Sequence, residues 1–289
     1  MSVYVITGVS RGIGMSLPSP KSAPSVTHPA QFEFLRQISE DPNSLVVGLV
    51  RDKAATENKI TAKLGDRPNI HILHGDLSNY ASLKQAAADT AEIVGERGVD
   101  YLVANAALLP SLGVYRPIGA LSDKPEEIDS VSAQLSQTNI AGNIHLFHLF
   151  LPLVLQGTVK KIITISTGLA DLDLTNKYEM DASALYAAFK AALNIIVAKF
   201  NAQYKKDGVL FLSISPGVVD VGHNANATPE EMESLMGFMG KIVAYAPHFK
   251  GPIMPEESVR HVRSTWEKAS IEGGHGGAFV SHFGDKQWV

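Results

Sequence analysis

The sequence predicts an α/β fold, a doubly wound parallel sheet of about seven strands with helices on both faces. Three observations carry this. Short β-branched runs alternate from end to end with longer stretches of helical periodicity, the pattern of repeated strand-helix-strand units. The runs are apolar almost throughout, as strands covered on both faces must be. The first run ends in a glycine-rich turn of the kind that leads from a strand into a helix.

VYVIT (3–7) reads as the first strand and opens into Thr7-Gly8-Val9-Ser10-Arg11-Gly12-Ile13-Gly14. Gly8 allows a tight turn, Gly12 lets backbone approach a pyrophosphate, and Gly14 permits close packing of helix on strand. A helix should follow at once. Instead 15–31 carries Pro18, Pro20, Pro24 and Pro29, which no helix interior tolerates. With 15–31 set aside, the turn reads straight into a helix over 32–40 whose inner face is Phe32, Phe34, Leu35 and Ile38. The segment is therefore expected to be an irregular surface insertion, foreign to the fold and flexible.

SLVVGLV (44–50) is the second strand. It ends at Val50-Arg51-Asp52, where a guanidinium can pair with the 2′-phosphate of NADP(H), so NADP(H) is favoured over NAD(H). A helix over 52–64, the strand NIHILHG (69–75), a helix over 82–95 and the strand DYLVANA (100–106) follow. One long helix is expected over 128–156, then the strand KKIITIS (160–166), a helix over 182–205, the strand VLFLSIS (209–215), a helix over 229–244 and a last strand, GAFVS (277–281). No linker composition interrupts 32–289, so residues 1–289 are expected to form one dinucleotide-binding domain.

Tyr186-Ala187-Ala188-Phe189-Lys190 falls on the helix over 182–205, and its i, i+4 spacing puts phenol and ammonium on one face. A phenol with pKa near 10 is a poor acid at neutral pH. An adjacent ammonium is expected to lower that value.

In order and spacing, TGVSRGIG (7–14), Gly75-Asp76-Leu77, Asn105-Ala106-Ala107, Asn139 in TNIAG, ISTG (165–168), the Tyr186/Lys190 pair and Pro216-Gly217 resemble the short-chain dehydrogenase/reductase family. The resemblance covers nearly the whole chain apart from 15–31. It implies a Rossmann-type domain and an NADP(H)-dependent oxidoreductase that interconverts a carbonyl and an alcohol by hydride transfer. On matching positions, Tyr186 would be the general acid and Lys190 would lower its pKa and bind the nicotinamide ribose. Asn139 would hold a water in the proton relay. Gly8, Ser10, Arg11, Gly12, Ile13 and Gly14 would cradle the phosphates beside Arg51. Asp76 and Leu77 would contact the adenine, Asn105 and Ala106 would line the ribose, and Pro216, Gly217 and Val219 would support the nicotinamide end.

Three positions depart from the family pattern. Ser166-Thr167 replaces the usual pair of serines, and either hydroxyl could orient the substrate carbonyl, with Thr167 favoured by strand register. Asn105-Ala106-Ala107-Leu108 lacks one customary amide, and Val221 stands where many members have Thr. The long segment between Thr167 and Tyr186, with the C-terminal GGAFVSHFGDKQWV, resembles the carbonyl-reductase-like subgroup that includes the sniffer and C-signal proteins. The Met-rich region near 218–255 is either an apolar lid over substrate or plain helix packing.

A net charge of −4 with 45% apolar and 19% charged residues argues against a general nucleic-acid or membrane-surface binder. No uninterrupted run of about 18 apolar residues suggests a membrane span. The absence of cysteine excludes thiolate chemistry and disulfides, and a reducing, cytoplasmic location is expected. His145 with His148, and His71 with His74, have no third ligand in sight, so no metal is expected. The partner is expected to be a small carbonyl or alcohol substrate, in a homodimer or homotetramer built through the long helices. The rival reading is a catalytically impaired member of the same fold, its cofactor cradle disrupted at 15–31, acting as a binding or structural protein.

Overall fold

The computed structural model describes residues 1–10, 30–220 and 229–289. Seven strands form one parallel sheet: β1 (Ser2–Thr7), β2 (Ser44–Val50), β3 (Ile70–His74), β4 (Tyr101–Ala104), β5 (Lys161–Ile165), β6 (Leu210–Ser215) and β7 (Phe279–Ser281). Their spatial order is β3-β2-β1-β4-β5-β6-β7, with every pairing parallel. The chain winds outward from β1 to β3, returns to β4 beside β1, and winds the other way. That reversal opens a crevice above the carboxyl ends of β1 and β4.

The helices are α1 (Ala30–Ile38), α2 (Lys53–Leu64), α3 (Tyr80–Val94), α4 (Pro125–Leu135), α5 (Gly142–Gln156), α6 (Leu172–Tyr178), α7 (Ala184–Tyr204), α8 (Pro229–Tyr245) and α9 (Pro255–Lys268). Alternate residues along each strand feed two cores. Val3, Val5, Leu45, Val47 and Phe211 face Leu83, Phe147, Phe150, Leu193 and Val197 of α3, α5 and α7. Tyr4, Ile6, Val46, Val50, Leu212 and Ile214 face Phe34, Leu35, Val259, Val262 and Trp266 of α1 and α9. Both faces are dry, which is why the strands read as unbroken apolar runs.

Two helices were not expected from sequence. The signals for α9 are Pro255 at its first turn, Glu256 and Glu257 beside it, and a narrow stripe of Val259, Val262 and Trp266. That stripe is enough because Trp266 is fully buried and stacks on Phe34 at 5.5 Å. The short α6 starts at Asp171, whose carboxylate caps the amide of Leu174.

The single helix expected over 128–156 runs without interruption from Pro125 to Gln156, with a π-helical turn, Ser136–Ala141, joining α4 to α5, and Asn139 lies in that turn. The buried amide of Asn139 accepts from Leu108 N at 2.8 Å and donates to Leu108 O at 2.9 Å, fastening the helix to the loop after β4. Among the described residues, Pro125–Gln156 taken whole is long and apolar enough to cross a membrane by length and composition, and half of its most apolar window is buried inside the protein. Its buried residues Leu146, Phe147, Phe150 and Val154 belong to the core.

At the opposite, amino end of the sheet Asp100 ties three segments together. One carboxylate oxygen accepts from Val3 N at 2.9 Å, and the other accepts from Thr158 N, Thr158 Oγ1 and Val159 N at 2.8–3.1 Å. Burial alone would push this carboxyl up. The four donors outweigh burial and hold it below the ordinary carboxylate range. Asp100→Asn presents an amide to Val3 N–H and is expected to cost about 2–3 kcal/mol at pH 7 by urea denaturation. Because the folded value is depressed, the contribution is present above the unfolded pKa near 3.9 and is lost as pH falls through the lower folded value. The gap between wild type and variant should therefore narrow in acid.

Candidate active site

The crevice begins where β1 and β4 end. Thr7 Oγ1 accepts from the amides of Asn105 and Ala106 at 3.0 and 2.9 Å, and Asn105 Nδ2 donates to Thr7 O at 2.9 Å. Gly8 follows at φ 74°, and a Cβ there would lie 2.8 Å from Ala106 Cβ, so a side chain would be both strained and crowded. Asn105 is 2% exposed, and its Oδ1 is buried with no hydrogen-bond partner among the described residues. Ser10 ends the described part of the turn, its carbonyl accepting from Lys59 Nζ at 2.9 Å. Arg11, Gly12, Ile13 and Gly14 lie outside the described residues, as do residues 15–29 and Val221.

Tyr186 and Lys190 stand on α7, which packs along β6. Lys190 is 3% exposed, and its ammonium donates to Ile165 O at 2.6 Å. It lies 5.8 Å from the centre of the Tyr186 ring. The expected lowering of the phenol is not what this geometry gives. Burial pushes Tyr186 up to about 12 and Lys190 down to about 8, each toward its neutral form. Tyr186 is only partly buried by surface area. An ammonium has three donors, and Lys190 spends one on Ile165.

After β5 the two hydroxyls divide. Ser166 is 3% exposed, and its Oγ donates to Asn194 Oδ1 of α7 at 2.8 Å. Thr167 is partly exposed, and its Oγ1 accepts from Leu169 N at 3.3 Å, leaving the hydroxyl proton free to donate. Asn139 is fully buried, and Leu108 takes one donor and one acceptor site of its side-chain amide. Its backbone carbonyl accepts from Asn143 Nδ2 at 2.8 Å.

At the carboxyl end of β2, Arg51 is exposed beside Asp52, which caps α2. Asp76 spends one carboxylate oxygen on the amide and hydroxyl of Ser78 at 2.9 and 2.8 Å, and Leu77 is buried. Past β6, Gly217 turns at φ 83°, and a Cβ would meet the His282 ring at 2.8 Å. Ser258 Oγ donates to Pro216 O at 2.7 Å, and Val219 bridges to Ile253.

The sequence reading missed the supports: Asn194 behind Ser166, Ser258 and His282 behind Pro216-Gly217, and Lys59 at Ser10. Single polar residues on otherwise unremarkable helices leave no spacing signal. Ser183 was also missed; its amide and hydroxyl donate to Gly113 O and Val114 O at 3.0 and 2.5 Å. Together with Ser111, Arg116, Lys124 and Ser234 of α8, the 113–114 turn walls a cavity of about 260 Å³. Among the described residues no group of three or more His, Cys, Asp or Glu could hold a metal ion.

The family pattern of short chain dehydrogenases matches residues 33–232. The chain belongs to the short-chain dehydrogenase/reductase family. Members use nicotinamide cofactors, and the orphaned Asn105 Oδ1 and the spare donors of Lys190 suit a dinucleotide's hydroxyl-rich ribose. The matched span begins directly past the 15–31 segment. The chain is 61% identical over 289 residues to the short-chain dehydrogenase/reductase iacC of Pestalotiopsis fici, covering 100% of both. Among solved structures it resembles the NADPH-bound carbonyl reductase from chicken fatty liver, with a TM-score of 0.71 and 20% identity over 98% of this chain and 97% of that one. It also resembles the putative carbonyl reductase Sniffer of Caenorhabditis elegans, with a TM-score of 0.68 and 21% identity over 99% and 98%. These two likenesses are of fold.

A buried ammonium with its pKa lowered to about 8 opposes folding whenever it is charged. Its unfolded pKa is near 10.4, so the chain should gain stability between about pH 8 and pH 10.4, where the unfolded form binds the extra proton. Lys190→Met is accordingly expected to raise stability by roughly 1–2 kcal/mol below pH 8, with the gain shrinking toward pH 10 in urea titrations.

Proposed function

We propose that this short-chain dehydrogenase/reductase is an NADP(H)-dependent oxidoreductase that interconverts a small-molecule carbonyl and its alcohol. The observation that carries the reading is Lys190: a fully enclosed ammonium at the carboxyl edge of the sheet, one helical turn from Tyr186, with donors to spare. Burying a charge there is costly, and its one hydrogen bond, to Ile165 O, leaves two donors unspent.

Asn105, Ala106 and Lys190 would hold the ribose hydroxyls, the Gly8 turn the phosphates, and Pro216 to Val219 the nicotinamide end. A bound nicotinamide dinucleotide supplies or accepts the hydride. The remaining work falls to the protein. Tyr186 Oη gives its proton to the carbonyl oxygen as negative charge develops there, and takes it back in the oxidative direction. Thr167 donates its free hydroxyl proton to the same oxygen and orients the carbonyl, while Ser166, occupied by Asn194, serves α7 packing. A phenol near 12 is too weak an acid to act alone, so Lys190, which would also hold the ribose, would supply the positive charge that brings it down. The exposed guanidinium of Arg51 supports the preference for a 2′-phosphate.

The cavity walled by the 113–114 turn and Ser234 borders the first turn of α7, three residues before Tyr186, and would admit substrate there. Met232 and Met236 of α8 are exposed while Phe238 and Tyr245 pack with Leu174, Ile242 and Trp288. That division supports a helix anchored at one face and free to cover substrate with the other. The impaired-member reading has less behind it, since the dehydrogenase family pattern matches residues 33–232 and a full-length relative at 61% identity is a short-chain dehydrogenase/reductase.

Tyr186→Phe is expected to lower carbonyl-dependent NADPH oxidation by at least about 10³-fold with dinucleotide affinity nearly unchanged. Thr167→Ala should lose about 10²-fold in kcat, whereas Ser166→Ala should act mainly on stability; equal kinetic losses would overturn the assignment of roles. Arg51→Ala should weaken NADPH about tenfold or more and NADH little, read by nicotinamide fluorescence. An equal effect on both would remove the 2′-phosphate role.

A further inference from the structure

Lys59 lies in α2, outside every motif of the family pattern. Its ammonium donates to Ser10 O at 2.9 Å and sits 4.4 Å from the centre of the Phe32 ring. Those two partners belong to different halves of one unit. Ser10 is in the glycine turn that leaves β1; Phe32, fully buried, is in the first turn of α1. In an uninterrupted unit the turn runs directly into the helix and covalent continuity alone sets one against the other. Here 15–31 stands between them in sequence.

We propose that Lys59 is a positioning residue that clasps the two halves of the dinucleotide cradle, holding the glycine turn through the Ser10 carbonyl and α1 through the Phe32 ring. The platform it works from is fixed independently: Asp52 caps α2, and Thr56 and Ile60 are buried. A lysine on a solvated helix face would extend into water. This one is half-buried, and burial, helped by the neighbouring Lys63, pushes it down to about 8. The environment disfavours its charge, and the carbonyl and the ring face recover part of that loss. Because the clasp acts at Ser10 and α1, it bears on the cradle and not on the part of the cofactor that distinguishes NADPH from NADH.

The inference rests on the dinucleotide-binding reading above. The test titrates NADPH and NADH, by nicotinamide fluorescence, into the full chain and its Lys59→Met and Lys59→Arg variants, with thermal midpoints recorded alongside. Lys59→Met should weaken both dinucleotides by a similar factor of about ten with little change in midpoint, and Lys59→Arg, which can still donate to Ser10 O and cover Phe32, should recover most of the loss. Unchanged affinity in Lys59→Met overturns the clasp alone. Loss confined to NADPH overturns it in favour of a direct contact with the 2′-phosphate. Weakened binding that follows a lowered midpoint and is not recovered by Arg reduces Lys59 to general stability. A wild-type chain that binds neither dinucleotide sinks the parent reading, and the clasp falls with it.

Discussion

The two central strands, β1 and β4, are tied at their carboxyl ends by three hydrogen bonds through Thr7 and Asn105, and every candidate site residue is placed relative to that tie. It sits where the winding of the sheet reverses, so the loops after β1 and β4 diverge and leave a crevice. Thr7 is 2% and Asn105 2% exposed; with polar groups so buried, the bonds cannot be exchanged for water and the geometry is held firmly. From β4 the loop carries on to Leu108, which Asn139 grips from the π-helical turn. That grip fixes the long helix beside α7 and hence the floor on which Tyr186 and Lys190 stand.

A second constraint is electrostatic. The crevice edge of α7 holds a phenol and an ammonium in surroundings that favour the neutral form of both. Spacing alone suggested that Lys190 would acidify Tyr186. The structure shows why spacing is insufficient: the ammonium is turned toward Ile165 O, and burial outweighs a charge 5.8 Å from the ring. Acidity suited to proton transfer therefore depends on what completes the chain of hydrogen bonds between the two groups.

The sheet was legible because its inner strands, β1, β2, β4, β5 and β6, are buried on both faces. SLVVGLV has the predicted bounds of β2, and the other six strands fall within two residues of theirs. Tyr186 with Lys190, and Asn105 near Gly8, were legible as spaced motifs. The π-helical turn inside the 128–156 helix was not, because the contact Asn139 makes from it is with a partner thirty-one residues away, and helical periodicity carries no trace of such a contact. Strand register favoured Thr167 over Ser166 only weakly, since the placement of Asn194 and Leu169 is what shows which hydroxyl is occupied as a donor. α9 was missed for a different reason: its apolar stripe is three residues wide, and one buried Trp266 does the packing that a broader face would otherwise do.

Hydrogen exchange on the full chain, with and without saturating NADPH, tests most directly whether the crevice is the binding surface. The account predicts slowed exchange at the carboxyl ends of the sheet, around Thr7 to Ser10, Asn105 to Leu108, Ser166 to Thr167 and Gly217 to Val219, with the Val3, Asp100 and Thr158 edge unchanged. Protection absent from the crevice, or concentrated at the opposite edge of the sheet, would contradict it.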